Sequence, residues 1–330
     1  MKEADKTFRL PFDQYQRYRL AAEIAQVLEG DGGPLTVLEV GGYPPRLRDF
    51  LPGHEIKILD QAEAEAPDYV RGEATALPFP DRHFGLVISL DTLEHVKPEQ
   101  RRRFIAELCR VAKGYVMMAA PFSSEAVKAA DRAIFEFIRS HCGYEQTYLK
   151  EHIELELPDL VTTMTGMLDQ GLDVQVIPSG RLDRWLFMMA AYYTLDADPD
   201  LREALPPLME AYNRAFYEFD KAEPAYRHFL VGAYEGMGRR WGMLADLAAG
   251  ESAETVEMRA VTMVMELGRV IALKRKDKER EALLARIQNQ DAEIQALRDH
   301  VRALQEFERK VKSLPLYSFY EKFLKPRTRP

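Results

Sequence analysis

"TVLEVGGYPPRLRDFLPGHEIKILD", residues 36–60, carries two short apolar runs, each closed by an acid. Val37–Val40 and Ile56–Leu59 lack polar alternation, so both read as strands buried on both faces, with "PRLRDFL" as a short helix between them. Gly41 and Gly42 give the first strand a tight exit. Tyr43, Pro44 and Pro45 then stand where a dinucleotide-binding turn needs glycine and free N–H groups. Proline has no N–H, and its ring keeps a pyrophosphate from approaching a helix start. The turn therefore suits a ligand without phosphate, and it argues against a nicotinamide dinucleotide.

The same grammar continues on both sides. Residues 13–29 read as an amphipathic helix broken by "GDGGP". "YVRG" (69–72), "FGLVISL" (84–90) and "GYVMMAAP" (114–121) read as further strands, with a helix at 98–112. Apolar strands alternating with helices predict an α/β fold with a doubly wound, mostly parallel sheet, Rossmann-like in build. Such sheets bind ligands at the carboxyl ends of their strands. Glu39, Gly41, Gly42, Asp60, Glu73 and the run from Asp91 to His95 all fall there. Farther on, "DLVTTMTGMLDQG" reads as helix and "LDVQVIP" (172–178) as strand. "LDRWLFMMAAYYTL" is too long for an ordinary strand and reads as helix, and "AYRHFLVGAYE" (225–235) reads as the last strand.

The composition is that of a globular chain: 330 residues, 46% hydrophobic and 30% charged, with formal net charge -8. No run approaches the length of a membrane span, and the start, rich in acids, does not read as a secretory signal. Cys109 and Cys142 are far apart and read as thiols of a reducing, cytoplasmic setting. From Lys274 onward fifteen Lys and Arg face nine Asp and Glu, so the preceding body is acidic and does not suit nucleic acid as a main partner.

In that basic tail Ile287, Ile294 and Val301 repeat every seven residues, as do Leu283, Leu297, Leu304 and Val311, with Gln290 and Glu308 as polar interruptions. The pattern predicts a C-terminal α-helical coiled coil that joins a second copy or a partner protein; a long helix folded onto the body is the alternative. Pro315 ends the seam. "LPLYSFYEKFLKPRTRP" after it is aromatic and basic, a candidate for peripheral membrane contact or a solvated terminus.

Taken in order, "VLEVGG", "ILD", "RGEATALPFPDRHFGLVISLDTLEHV" (71–96) and "RVAKGYVMMAAP" resemble the class I S-adenosylmethionine-dependent methyltransferases, in particular the type 11 group. The resemblance covers residues 36–121 closely and reaches loosely to about 240. It implies a seven-stranded sheet whose last strand is antiparallel, and S-adenosylmethionine as cofactor. It implies that Gly41 and Gly42 lie against the methionine part with Glu39 beneath them, and that Asp60 accepts from the ribose. Glu73 and Ala74 would meet the adenine, and Ser89 and Leu90 would line the methionine side. Tyr43 and Pro45 replace later glycines of the family turn, Gly85 replaces an aspartate, and "AKGY" shortens the strand-five turn. These departures leave a second reading, a non-catalytic scaffold with a methyltransferase fold acting through its coil.

Methyl transfer to a hydroxyl needs alignment, exclusion of water and a group to take the proton. His95, Asp91 and His152 are the candidates, His152 placed in an irregular segment with Glu151 beside it; each has a structural role as its alternative. Glu94 reads as support for a helix start. His54, His83, His141, His228 and His300 show no ligand spacing, so no metal is expected. The organisation expected is a methyltransferase domain over about 1–245 with a helical insert at about 181–222, a coiled-coil tail at about 250–314 and a basic end at 315–330. The apolar insert suits a bulky small-molecule, glycan or lipid-linked acceptor. A domain followed by a coil is similar in layout to enzymes that methylate bacterial surface polysaccharides.

Overall fold

The computed structural model describes residues 6–236, 241–247 and 253–313. The chain divides into two units, Met1–Gly268 and Arg269–Pro330.

Seven strands build one sheet: β1 (Val37–Val40), β2 (Ile56–Asp60), β3 (Tyr69–Arg71), β4 (Phe84–Leu90), β5 (Ala112–Pro121), β6 (Leu172–Arg181) and β7 (Ala225–Tyr234). Their order is β3-β2-β1-β4-β5-β7-β6. β1 to β5 are parallel, and β7 inserts antiparallel between β5 and β6, with Met117 opposite Val231 and Val231 opposite Gln175. The doubly wound sheet and the antiparallel last strand are those expected. Strand order reverses between β1 and β4, so the crevice for a ligand opens outside the ends of those two strands.

Alternation along each strand divides the core. Val37, Ile58, Ile88, Met117 and Val231 pack to one face under α1 (Phe12–Glu29), with Leu20, Ile24 and Leu28 above them. Leu47 and Phe50 of the short α2 (Leu47–Phe50) join the same layer. Leu38, Leu59, Val87, Val116 and Leu230 face the other way, against Phe104 and Leu108 of α3 (Pro98–Val111). Each such aliphatic side chain, fully buried, contributes about 1.5–3 kcal/mol, so the two layers hold the strand ends firmly. Pro98 opens α3, where a missing N–H costs nothing.

A third cluster stands over the carboxyl ends of the strands. It is built from α4 (Glu125–Phe137), α5 (Thr147–Leu155), α7 (Leu182–Ala197) and α8 (Leu205–Phe216), with Ile134, Trp185, Met188 and Phe216 inside. α6 (Leu160–Leu168) lies before β6 and sends Met167 into the second layer. The insert is helical, as the sequence suggests. One local reading is corrected. His152 sits in α5, whose N-terminus is held by the Gln146 side chain accepting from Tyr148 N–H at 2.9 Å; glutamine is a weak capping signal, and the helix was hidden by it. Glu94 lies in the first turn of a one-turn 3-10 helix, Leu93–His95, and α3 begins at Pro98.

After α9 (Trp241–Asp246), α10 runs from Ala253 to Lys312. In the second unit, Leu283, Ile287, Ile294, Leu297, Val301 and Leu304 of α10 are all exposed. The basic end at 315–330 lies outside the described residues. Among those described, no helix is long and apolar enough to cross a membrane.

Candidate active site

The exit of β1 is closed tightly. Gly41 has φ +77°, donates its N–H to Leu59 O at 2.8 Å, and leaves no room for a Cβ, which would strike Thr92. Gly42 lies on Glu39, and a Cβ there would overlap the Glu39 carboxyl. Tyr43 N–H donates to Asp60 Oδ2 at 3.2 Å. With Gly41 and Tyr43 engaged and Pro44 and Pro45 without N–H, the turn has few donors for phosphate, as its sequence suggests. It has instead a buried acid: both Glu39 carboxylate oxygens lack a hydrogen-bond partner among the described residues. Burial pushes the Glu39 carboxyl up to about 8, against the pull of Arg17 and Arg48. A cationic ligand over this turn supplies the missing countercharge, and S-adenosylmethionine, with a sulfonium and an ammonium, fits that demand.

Asp60 ends β2 and faces the same cavity, its Oδ1 accepting from Ala62 N–H at 3.0 Å. Gly41, Tyr43, Ala74 and Leu90 line the cavity beside it. Glu73 does not: it is exposed, and its carboxylate accepts from Gln61 Nε2 at 2.8 Å. Ser89 is buried in the sheet with its Oγ unpartnered among the described residues, outside the cavity lining. Of the expected cofactor residues, then, Gly41, Asp60, Ala74 and Leu90 converge directly, and Glu39 and Gly42 support them from below.

Asp91, just past β4, takes φ +49° and is clamped. Arg227 Nε donates to Oδ1 and Arg17 Nη1 to Oδ2, both at 2.5 Å; Arg227 Nη2 also reaches Asp91 and Asp13. Burial acts to raise the Asp91 carboxyl, but the Arg227 and Arg17 guanidiniums outweigh it and hold it down at about 2. Such a carboxylate, held by two guanidiniums, is a poor proton acceptor near neutral pH. Neither arginine was singled out in the sequence, although an arginine inside the apolar strand "AYRHFLV" is the mark of a buried ion pair.

His95 and His152 stand together, ring centroids 5.3 Å apart, and both line the cavity. His95 Nδ1 lies 2.7 Å from Glu151 Oε2, and His152 Nδ1 lies 3.1 Å from Asp131 Oδ2. Tyr226 donates to the other Asp131 oxygen at 2.9 Å. Carboxylates only accept, so each imidazole donates from Nδ1 to its acid. Burial and the neighbouring His152 push His95 below its ordinary value, against the pull of Glu151. Glu94, almost fully buried, sits beside His95 with Oε2 unpartnered among the described residues. Burial, and then Asp91, push its carboxyl well up.

The helical cap completes the enclosure. Trp185 stacks on Tyr226 with centroids 3.5 Å apart and planes 10° from parallel, and Met189, Tyr192 and Tyr193 continue the wall. The resulting cavity measures about 930 Å³ and runs from Asp60 to the imidazoles.

Residues 54–118 match the family described as "Methyltransferase domain". Among solved structures, the chain is similar to the YcgJ protein from Bacillus subtilis (15% identity, 66% of this chain and 97% of the other, TM-score 0.39). It is also similar to magnesium protoporphyrin IX methyltransferase from Synechocystis PCC 6803 with bound S-adenosylhomocysteine (12% identity, 70% and 86% covered, TM-score 0.40). No curated protein matches. Residues 54–118 thus carry a methyltransferase-domain match, and the strand order with its antiparallel β7 is the Rossmann-like sheet in which that match lies.

Proposed function

We propose that the chain transfers a methyl group to a hydroxyl oxygen of a small-molecule or sugar acceptor. The observation that carries this reading is the continuous cavity from Asp60 to the His95–His152 pair. Its volume of about 930 Å³ is near the upper end for ligand pockets, with room for an acceptor beside a nucleoside. S-adenosylmethionine brings a methyl group already activated on sulfonium. The chain's own tasks are then to align the acceptor, exclude water and manage the hydroxyl proton.

Asp60, Gly41, Ala74 and Leu90 hold the cofactor end, with Glu39 and Gly42 beneath. Ser89 shapes β4 behind Leu90, and Glu73 borders the adenine side through Gln61. At the far end His95 and His152 handle the acceptor hydroxyl, oriented by Glu151 and by Asp131 with Tyr226. Met189 and Tyr192, partly exposed on the cavity wall, offer apolar surface to a sugar or aromatic ring, with the Trp185–Tyr226 stack buried at the same wall.

The same reading takes residues 1–245 as the catalytic domain and 250–314 as a helical tail that pairs with a second copy through the Leu283-to-Val311 seam. The basic end at 315–330 would touch a membrane surface. Two free thiols fit a cytoplasmic setting. The test is transfer of an isotopically labelled methyl from S-adenosylmethionine to panels of sugars, phenols and lipid-linked glycans. The expected product is a methyl ether; exclusive methylation of amines or carboxylates contradicts the reading.

A further inference from the structure

Glu94, His95 and His152 each bring one potential ligand atom within 4.8 Å of the other two. His95 Nε2 lies 3.9 Å from Glu94 Oε1. What surrounds these atoms argues that they form a built site. Each imidazole is tied at Nδ1 to a carboxylate, His95 to Glu151 and His152 to Asp131, the arrangement that fixes the tautomer of metal-ligating histidines and raises their basicity. Asp131 is itself held by Tyr226. That leaves Glu94 Oε2 with no hydrogen-bond partner among the described residues, although the Glu94 side chain is buried beside the two imidazoles. A cation between these three residues would draw the Glu94 carboxyl into its ionised form and give that oxygen a partner.

We propose that Glu94, His95 and His152 bind a divalent transition-metal ion of the zinc type, at the acceptor end of the cavity. Two imidazoles and one carboxylate with an open fourth position are a ligand set that zinc accepts. Bonds of about 2.0–2.1 Å put tetrahedral ligands roughly 3.4 Å apart, so closure needs an approach of the order of an ångström, within reach of rotating side chains. Binding of the ion stands on these residues alone; its role rests on the hydroxyl-transfer reading above. In that role the acceptor oxygen takes the open position. Its O–H bond breaks as it binds the ion, before the site closes for methyl transfer; the proton leaves through the open cavity mouth to bulk water, the electron pair stays on oxygen, and the imidazoles, holding the ion, take no proton. That oxygen forms the new C–O bond as the sulfonium C–S bond breaks. Spacing among histidines alone concealed the site, because His95 and His152 lie far apart in sequence and the third ligand is a glutamate.

Cobalt(II) titrated into the full chain after chelator treatment tests the proposal. The expected result is one equivalent bound with the visible absorption of a four-coordinate ion, displaced by Zn²⁺. Glu94→Gln and His152→Gln should abolish that absorption, and Glu151→Gln should weaken binding about 10–100-fold. Affinity for S-adenosylhomocysteine, measured on the same samples, reports a folded cofactor end. Absence of cobalt binding by a chain that still binds S-adenosylhomocysteine overturns the metal site and leaves the methyltransferase reading standing. Cobalt binding that survives both Gln variants overturns it equally.

Discussion

Glu39 lies directly beneath Gly42, so close that a Cβ at position 42 would overlap its carboxyl. The glycine is therefore required by the acid under it, and the acid is sealed from water. Burial holds the Glu39 carboxyl up at about 8 in the free chain. A cation seated over the turn favours the ionised form and lowers that value, so cofactor binding releases a proton. The sign follows: below about pH 8 the free chain is protonated at Glu39, and binding must pay for removing that proton. Affinity for S-adenosylmethionine should rise by up to about tenfold per pH unit between about pH 6 and 8 and level off above. Calorimetry in buffers of different ionisation enthalpy reads the released proton directly; an affinity flat across that range rejects the role.

Asp60 accepts from Tyr43 and Ala62 N–H groups and keeps lone pairs toward the cavity. Asp60→Ala removes the ribose acceptor and loosens the glycine turn. Cofactor affinity should fall at least about tenfold, on the order of 1.4 kcal/mol, with thermal stability changed little. An unchanged dissociation constant removes Asp60 from the site.

Asp91→Asn leaves Arg227, nearly fully buried, and Arg17 without their shared charge. Breaking a buried pair by removing one partner costs about 3–5 kcal/mol, and urea unfolding should show a loss of that size. A pH dependence accompanies it. The folded carboxyl is depressed from its ordinary 3.8 to about 2. Its contribution to stability is complete above the ordinary value and is lost as pH falls through about 2. The wild-type chain should lose this contribution across that window and the Asn variant should not; parallel acid titrations of the two would show the clamp to be inert.

Six apolar side chains of α10, from Leu283 to Leu304, are exposed at heptad spacing. Leu297→Lys puts a charge into the proposed seam. Light scattering should report a smaller assembly for this variant and for a chain ending at residue 273, while the melting temperature of the body holds. The same number of chains per particle as in the wild type, in both variants, ends the self-association proposal.

Which features could be read beforehand follows from the range of the forces that make them. The parallel strands announced themselves by apolar runs such as "FGLVISL", and the turn over Glu39 by its glycines, because both are local consequences of burial and backbone freedom. The helical insert showed itself by length and aromatics. The Asp91 clamp did not, since its guanidiniums come from α1 and β7 and meet only when the sheet is assembled. His152 was placed in an irregular stretch because the Gln146 cap is weak, and its partner Asp131 lies on another helix. Nothing local distinguishes a buried glutamate such as Glu94, with Oε2 unpartnered among the described residues, from a solvated one. Ser89 and Glu73 stand at the right strand ends, yet alternation turns Ser89 into the sheet and Gln61 draws Glu73 aside.

The central claim is a working S-adenosylmethionine site over the Glu39–Gly42 turn, despite Tyr43 and two prolines. Calorimetric titration of S-adenosylmethionine and of S-adenosylhomocysteine into the full, folded chain tests it most directly. Binding of each at one equivalent, with dissociation constants of the order of micromolar, is the result expected. No heat of binding from either, in a chain that circular dichroism and cooperative melting show to be folded, would contradict it.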